Sequence, residues 1–194
     1  MNKKIFSMVF LQAIIVSAII LPAFLYGYAE KKEDPRIIEI RNEYKIIEQG
    51  LKIYKVIEKQ FEVSAPGEGS VKYYYKKKEL VKIHSQFHGD GISNFLSLYY
   101  VDGVLFFAFE ESETFPIWEG MEDSTGKTEH RLYFENNKMF RWIVKSFEDK
   151  MLAHYQKEGT KEFIAEQKRM LKKSVQWRAY EASEIKNFDE FSDI

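Results

Sequence analysis

The sequence predicts an α+β domain: an antiparallel meander sheet of about six or seven strands, built from three similar hairpins, with an amino-terminal helix and a carboxy-terminal helical region. Three observations carry this. Apolar residues recur at helical spacing between Arg36 and Gly50, paired aromatics flank a short polar link three times between Tyr74 and Trp142, and helical spacing returns after Ile143. A chain of 194 residues with 45% hydrophobic and 16% aromatic content buries one substantial core but hardly two, so the elements belong to a single domain.

The first residues stand apart from that domain. Lys3 and Lys4 precede a run from Ile5 to Leu25 that holds no charged residue. Pro22 and Gly27 break a helix near its end, and Gly27 and Ala29 supply the small residues a signal peptidase reads. Residues 1–29 therefore read as a signal peptide of bacterial type. The alternative is a retained membrane anchor, because about 20 apolar residues suffice to cross a bilayer. The location implied is periplasmic or secreted, or else membrane-anchored with the domain outside the cytoplasm. There is no cysteine. That excludes a lipid-modified cysteine at the cleavage site and leaves stability to packing without disulfides.

The domain itself spans residues 30–180, followed by a polar, acidic tail at 181–194. Within "RIIEIRNEYKIIEQG", Ile37, Ile40, Tyr44 and Ile47 fall on one helical face, with Pro35 before and Gly50 after. "LKIYKVIEKQFEV" favours β-branched and aromatic residues and reads as a first strand, with Leu51, Ile53 and Ile57 on one parity. The glycine-rich "SAPGEGS" closes it.

Then come the hairpins: "YYKKKELVKI" from Tyr74, "YYVDGVLFFA" from Tyr99 and "YFENNKMFRW" from Tyr133. Asp102-Gly103 and Asn136-Asn137 tolerate the positive φ that a two-residue turn requires; Lys77-Lys78 leaves the first register open. Spacings of 25 and 34 residues mark a meander of similar hairpins and not a solenoid. With strict alternation, Tyr100 faces Leu105, Leu98 faces Phe107 and Leu96 faces Phe109 on the core side of the sheet. The other side, with Tyr99 and Phe106, is apolar enough to want cover from a helix. Beyond Ile143, the spacing of Phe147, Met151 and Tyr155 is helical. After Gly159, Thr160 caps a second helix whose buried stripe is Phe163, Ile164, Leu171 and Val175.

Chemistry is mostly absent from the sequence. There is no thiol nucleophile, no Gly-x-Ser-x-Gly elbow and no phosphate loop, since "APGEGSVK" lacks the Gly-Lys-Ser/Thr ending. No cofactor is implied. In "HSQFH" the imidazoles of His84 and His88 stand roughly 13 Å apart on a strand, too far to share a metal, and no metal site is assigned. Removing Lys3 and Lys4 with the signal leaves the 30 acids and two fewer than the 29 bases. A slightly acidic exported chain does not offer the basic footprint that nucleic acid demands.

Two surfaces remain as candidates. From Glu110 to Asp123 the chain carries six carboxylates and no lysine or arginine, within a connection longer than a hairpin needs. There Phe115, Ile117 and Trp118 form an apolar anchor ringed by acids, the layout of a partner-binding hot spot, unless they tuck back against the sheet and close the core. Superposing the hairpins on their turns places Lys82 and Arg141 where the middle hairpin has Phe107, with His84 and His130 on the same face. Those groups either line a cleft for an anionic ligand or pair with acids from a helix. In "QKRMLKK", Lys168, Arg169, Lys172 and Lys173 lie on the outer face of a helix, a solvated surface or one that attracts an acidic partner or an anionic membrane.

The reading is thus an exported cell-envelope protein, a non-enzymatic binding or protein-interaction domain. The alternative is a carrier of, or enzyme acting on, a small anionic or lipid-like ligand bound over the sheet face. Its partners are an envelope protein or a small anion, with membrane contact only through a retained amino terminus.

Overall fold

The computed structural model describes residues 33–63, 66–116, 126–147 and 151–183. The turn residues of the three repeated hairpins sit where their chemistry places them. β2 (Gly67–Lys76) and β3 (Glu79–Gly89) are joined by Lys77-Lys78, β4 (Ile92–Val101) and β5 (Val104–Thr114) by Asp102-Gly103, and β6 (Gly126–Glu135) and β7 (Lys138–Phe147) by Asn136-Asn137. Asp102, Gly103, Asn136 and Asn137 all take positive φ, as a two-residue hairpin turn requires. The first hairpin keeps the same register with Lys77 alone of its pair at positive φ, and Lys76 pairs with Glu79.

All three hairpins share a feature that alternation does not anticipate. Tyr74 pairs with Lys82 but Tyr75 with Leu80, Tyr99 with Phe107 but Tyr100 with Leu105, and Tyr133 with Arg141 but Phe134 with Met139. One residue is left over each time: Val81, Phe106 and Phe140. Such a bulge opposes two residues to one and inverts the facing of everything beyond it. Phe107 therefore shares the face of Tyr99, and Leu98 pairs with Ala108. The expected facing of Leu98 with Phe107, and of Leu96 with Phe109, is corrected by this bulge.

With β1 (Lys55–Phe61) and β8 (Met151–Gln156) at the edges, the eight strands form one antiparallel sheet in sequential order. A helix covers each face. Ile37, Ile40 and Ile47 of α1 (Pro35–Gly50) bury against Val81, Tyr99, Phe107 and Tyr133. Phe163, Met170, Trp177 and Tyr180 of α2 (Lys161–Ala182) bury against Ile83, Leu98, Leu105, Leu132 and Met139. Thr160 caps α2 as expected, its hydroxyl accepting from the Phe163 amide at 3.2 Å. At the other end Lys59 Nζ donates to the carbonyls of Tyr180 and Ser183, both at 2.7 Å, satisfying helix-end acceptors that would otherwise be orphaned. Two compact units divide the chain, Met1–Pro35 and Arg36–Ile194, and the sheet and α2 belong to the second.

Several expectations are corrected in detail. The sheet has eight strands, not six or seven, because Phe147, Met151 and Tyr155 belong to β7 and β8. Their four-residue intervals are even, so they satisfy a strand as well as a helix. Leu51 and Ile53 precede β1, in a turn where Ile53 is 86% exposed. On α2 the buried stripe is Phe163, Met170, Ser174, Trp177 and Tyr180, whereas Ile164 and Val175 are exposed. The segments 1–29 and 184–194 lie outside the described residues.

Neighbouring isoleucines of α1 give a direct check on its packing. Ile47 is buried and Ile46 is about half exposed. Ile47→Ala should cost about 2–5 kcal/mol in urea denaturation and Ile46→Ala within about 0.5 kcal/mol. Equal losses would place α1 off the sheet.

Candidate functional site

The bulges set up one transverse row on the α1 face: Lys82, Tyr99, Phe107, Tyr133 and Arg141, each paired to the next across β3 to β7. α1 has 16 residues, about 24 Å at 1.5 Å each, and the row crosses four strand intervals, about 19 Å, so one helix lies along nearly all of it. Its two ends are pinned. Arg36 stands 3.9 Å over the Phe140 ring and pairs with Glu135 at 3.3 Å. Glu48 accepts from Lys82 at 2.7 Å and from the Tyr99 hydroxyl at 2.9 Å. Lys82 is 7% exposed, and burying an ammonium that deeply requires such a partner. Burial, and then the Glu48 charge, push the Tyr99 phenol far above its ordinary range.

Between those pins the helix stands beside a groove of about 350 Å³. Phe107, Phe109 and Tyr133 make its floor, and Ile40 and Tyr44 its helical wall. The rings interlock: Phe107 lies 5.1 Å from Tyr133 and 5.6 Å from Tyr99, and Tyr44 meets Phe107 edge-on at 5.7 Å. Three cations, Arg41, Lys45 and Arg131, stand among the lining residues. Arg131 also pairs with Glu129 at 2.9 Å and lies 5.8 Å from the Phe109 ring centroid. Burial, then Glu48, raise the Tyr44 phenol, while Arg131 works in the opposite direction.

The residues singled out from the sequence are dispersed by the fold. Lys82 and Arg141 share the row but stand at its two ends, Lys82 under Glu48 and Arg141 against Tyr155, 4.8 Å from that ring centroid. His84 lies on the same face, its Nδ1 2.9 Å from the Ser97 hydroxyl. His130 is on the opposite face, beneath α2, and this corrects its grouping with the other three. Phe115 opens the long connection, 39% exposed as a residue and with its amide bonded to the Gly91 carbonyl at 3.0 Å; Ile117 and Trp118 lie outside the described residues.

Around His130 the fold assembles a cluster that the sequence does not disclose. The ligand atoms of Glu110, His130 and Glu166 lie within 4.8 Å of one another, a donor set of the kind that holds a metal ion. The carboxylates, however, are already engaged. Arg169 bonds both oxygens of Glu110 and both of Glu166, and Lys173 bonds Glu110 at 2.8 Å. Trp142 Nε1 donates to His130 Nδ1 at 3.2 Å. Burial alone would push Glu110 up, but the Arg169 hydrogen bonds and Lys173 hold it down at about 2. The guanidinium supplies the positive charge, and the cluster works as an internal clamp fixing α2 to β5. Arg169 and Lys173 thus turn inward, contrary to their expected outward facing.

Sequence reasoning missed Arg41, Lys45 and Arg131. Arg41 and Lys45, four apart and flanking Tyr44 on α1, were the available signal, as was Arg131 two residues before Tyr133 on one strand face. The described residues form an α+β domain with one eight-stranded antiparallel meander sheet between two helices. No protein-family model, no curated protein and no solved structure matches the chain.

His84 makes the α1 face pH-sensitive. Burial, then Lys82 and Lys72, hold its imidazole down at about 4. As pH falls below about 6.5 the unfolded chain takes up a proton that the folded chain refuses until about 4, so the stability present above 6.5 is lost across that window. His84→Gln, which keeps a partner for Ser97, should lose less stability between pH 7 and pH 5 than the parent, by on the order of 1–2 kcal/mol in urea denaturation. An identical loss in both proteins would contradict the assignment.

Proposed function

We propose that the domain is a non-enzymatic binding protein of the cell envelope whose site is the α1 groove, and that its ligand is a small anion with an apolar body. The observation that carries the reading is an aromatic floor bordered by three cations in a groove of about 350 Å³. That size falls within the range of small-molecule sites, which are mostly apolar with a few convergent polar groups. The floor takes the apolar body, and Arg41, Lys45 and Arg131 take the anionic head. Among the described residues no carboxylate, histidine or serine lines the groove, which supports binding without turnover. The uncharged run from Ile5 to Leu25 after Lys3 and Lys4 supports export.

Calorimetric titration with decanoate and with decanol, each below its aggregation limit, tests this. Decanoate should bind, decanol should bind at least about tenfold more weakly, and Lys45→Ala with Arg131→Ala should remove that preference, as expected when about 1.4 kcal/mol rests on the charged rim. Equal binding of the two probes, or a preference surviving the double substitution, would move the site elsewhere.

A protein partner at the long connection is the second reading, favoured by the exposed Phe115 ring beside acids. A defined partner would then lose affinity for Phe115→Ala while decanoate binding stays unchanged.

A further inference from the structure

The inward turn of Arg169 and Lys173 leaves a different set of cations on the outer side of α2. Lys161, Lys168 and Lys172 are exposed there, and at 100° per residue they fall within about 40° of one another on the helix. Ile164 is 45% exposed and Val175 68% exposed on the same side. The acids of α2 are elsewhere: Glu166 is bonded to Arg169, Glu181 accepts from the Tyr75 hydroxyl, and Glu162 sits on the flank of the first turn. In a chain of net charge −1, the described residues of this outer ridge of α2 are basic and include no acid. Among the described residues no ion pair engages Lys161, Lys168 or Lys172.

We propose that this ridge of α2 is a docking surface for an anionic lipid bilayer. The ridge runs from Lys161 to Val175 on a 22-residue helix, about 21 Å at 1.5 Å per residue, and presents a line of charge suited to a flat surface instead of a pocket for one side chain. Lysine stems let the ammonium groups reach lipid phosphates while Ile164 and Val175 meet the interface, a combination that a purely electrostatic protein contact would not call for. The apolar face of α2 is already spent on Met170, Trp177 and Tyr180 in the core, so contact is peripheral, without helix insertion. The α1 groove lies on the opposite face of the sheet and stays open when α2 is seated. This docking does not depend on what the groove binds.

The test uses the chain from residue 30 onward, which contains the compact unit Arg36–Ile194, with circular dichroism showing that each protein folds. Co-sedimentation is measured with vesicles of phosphatidylcholine alone and with vesicles containing one-third phosphatidylglycerol. The parent should bind the anionic vesicles, should not bind the neutral ones, and should be released by added salt. Lys168→Glu with Lys172→Glu should weaken binding about 25-fold or more, at about fivefold per lysine removed. Lys76→Glu with Lys78→Glu, equal in charge change but at a hairpin turn, should leave it nearly intact. Val175→Glu should weaken binding as well. No binding to the anionic vesicles, equal binding to both kinds, or equal losses from the α2 and hairpin variants would overturn the proposal. So would capture of an acidic protein by the same ridge with no affinity for lipid.

Discussion

One extra residue in each hairpin, at Val81, Phe106 and Phe140, sets what the two faces of this sheet carry. Without it, the residue after each bulge would point toward α2. With it, Lys82, Phe107 and Arg141 join Tyr74, Tyr99 and Tyr133 on the α1 face. Two consecutive side chains lean toward the same helix at each bulge, which gives α1 an aromatic bed and explains why a 16-residue helix finds enough surface to settle on. The same inversion sends Ile83, Ala108 and Trp142 to the α2 face, where they complete the larger cluster. The groove is a product of this arrangement: Phe107 lies at its floor only because Phe106 is left unpaired.

The two faces use charge in different ways. Under α2, Glu110 and Glu166 meet Arg169 and Lys173 at the border of a core otherwise closed by tyrosine hydroxyls, Tyr73 donating to the Trp177 carbonyl and Tyr100 bonded to Ser174. Removing one member of such a network strands the others, so the clamp holds α2 in a single register whatever its net worth. On the α1 face two charged contacts, Arg36 with Glu135 and Lys82 with Glu48, pin the helix ends, and the row between them is made of rings. That leaves Arg41, Lys45 and Arg131 beside an apolar floor, and an anionic ligand would meet cations along the groove without displacing the pins that hold the helix.

Much of the fold was legible in the sequence because its signals are local. The hairpin turns announce themselves through Asp102-Gly103 and Asn136-Asn137, α1 through Ile37, Ile40 and Ile47, and α2 through Thr160. What was not legible is what local periodicity does not encode. Tyr99, Tyr100, Leu105, Phe106 and Phe107 are apolar on both parities, so no alternation marks the unpaired residue. The α2 stripe was displaced because Ile164 is as apolar as Phe163, and only the aromatic ladder Phe61–Trp177–Tyr180, with its T-shaped contacts at 5.1 and 5.7 Å, picks the true face. For the candidate site, superposing hairpins put Lys82, Phe107 and Arg141 in one row, yet the bulges carried that row and His84 to the α1 face and left His130, which lies on β6 ahead of the bulge, on the α2 face with Leu132. Arg41 and Lys45 come from a different element altogether, and their approach to Arg131 exists only after α1 docks.

The most direct measurement is a two-dimensional nuclear Overhauser spectrum of the aromatic protons with Phe107 selectively labelled. The bulge predicts cross-peaks from the Phe107 ring to Tyr44 and Tyr133, whose centroids lie 5.7 and 5.1 Å away, and none to Leu98 or Trp177. Cross-peaks from Phe107 to Leu98 with none to Tyr44 would restore strict alternation, remove the aromatic bed from beneath α1 and contradict both the groove and the ligand read from it.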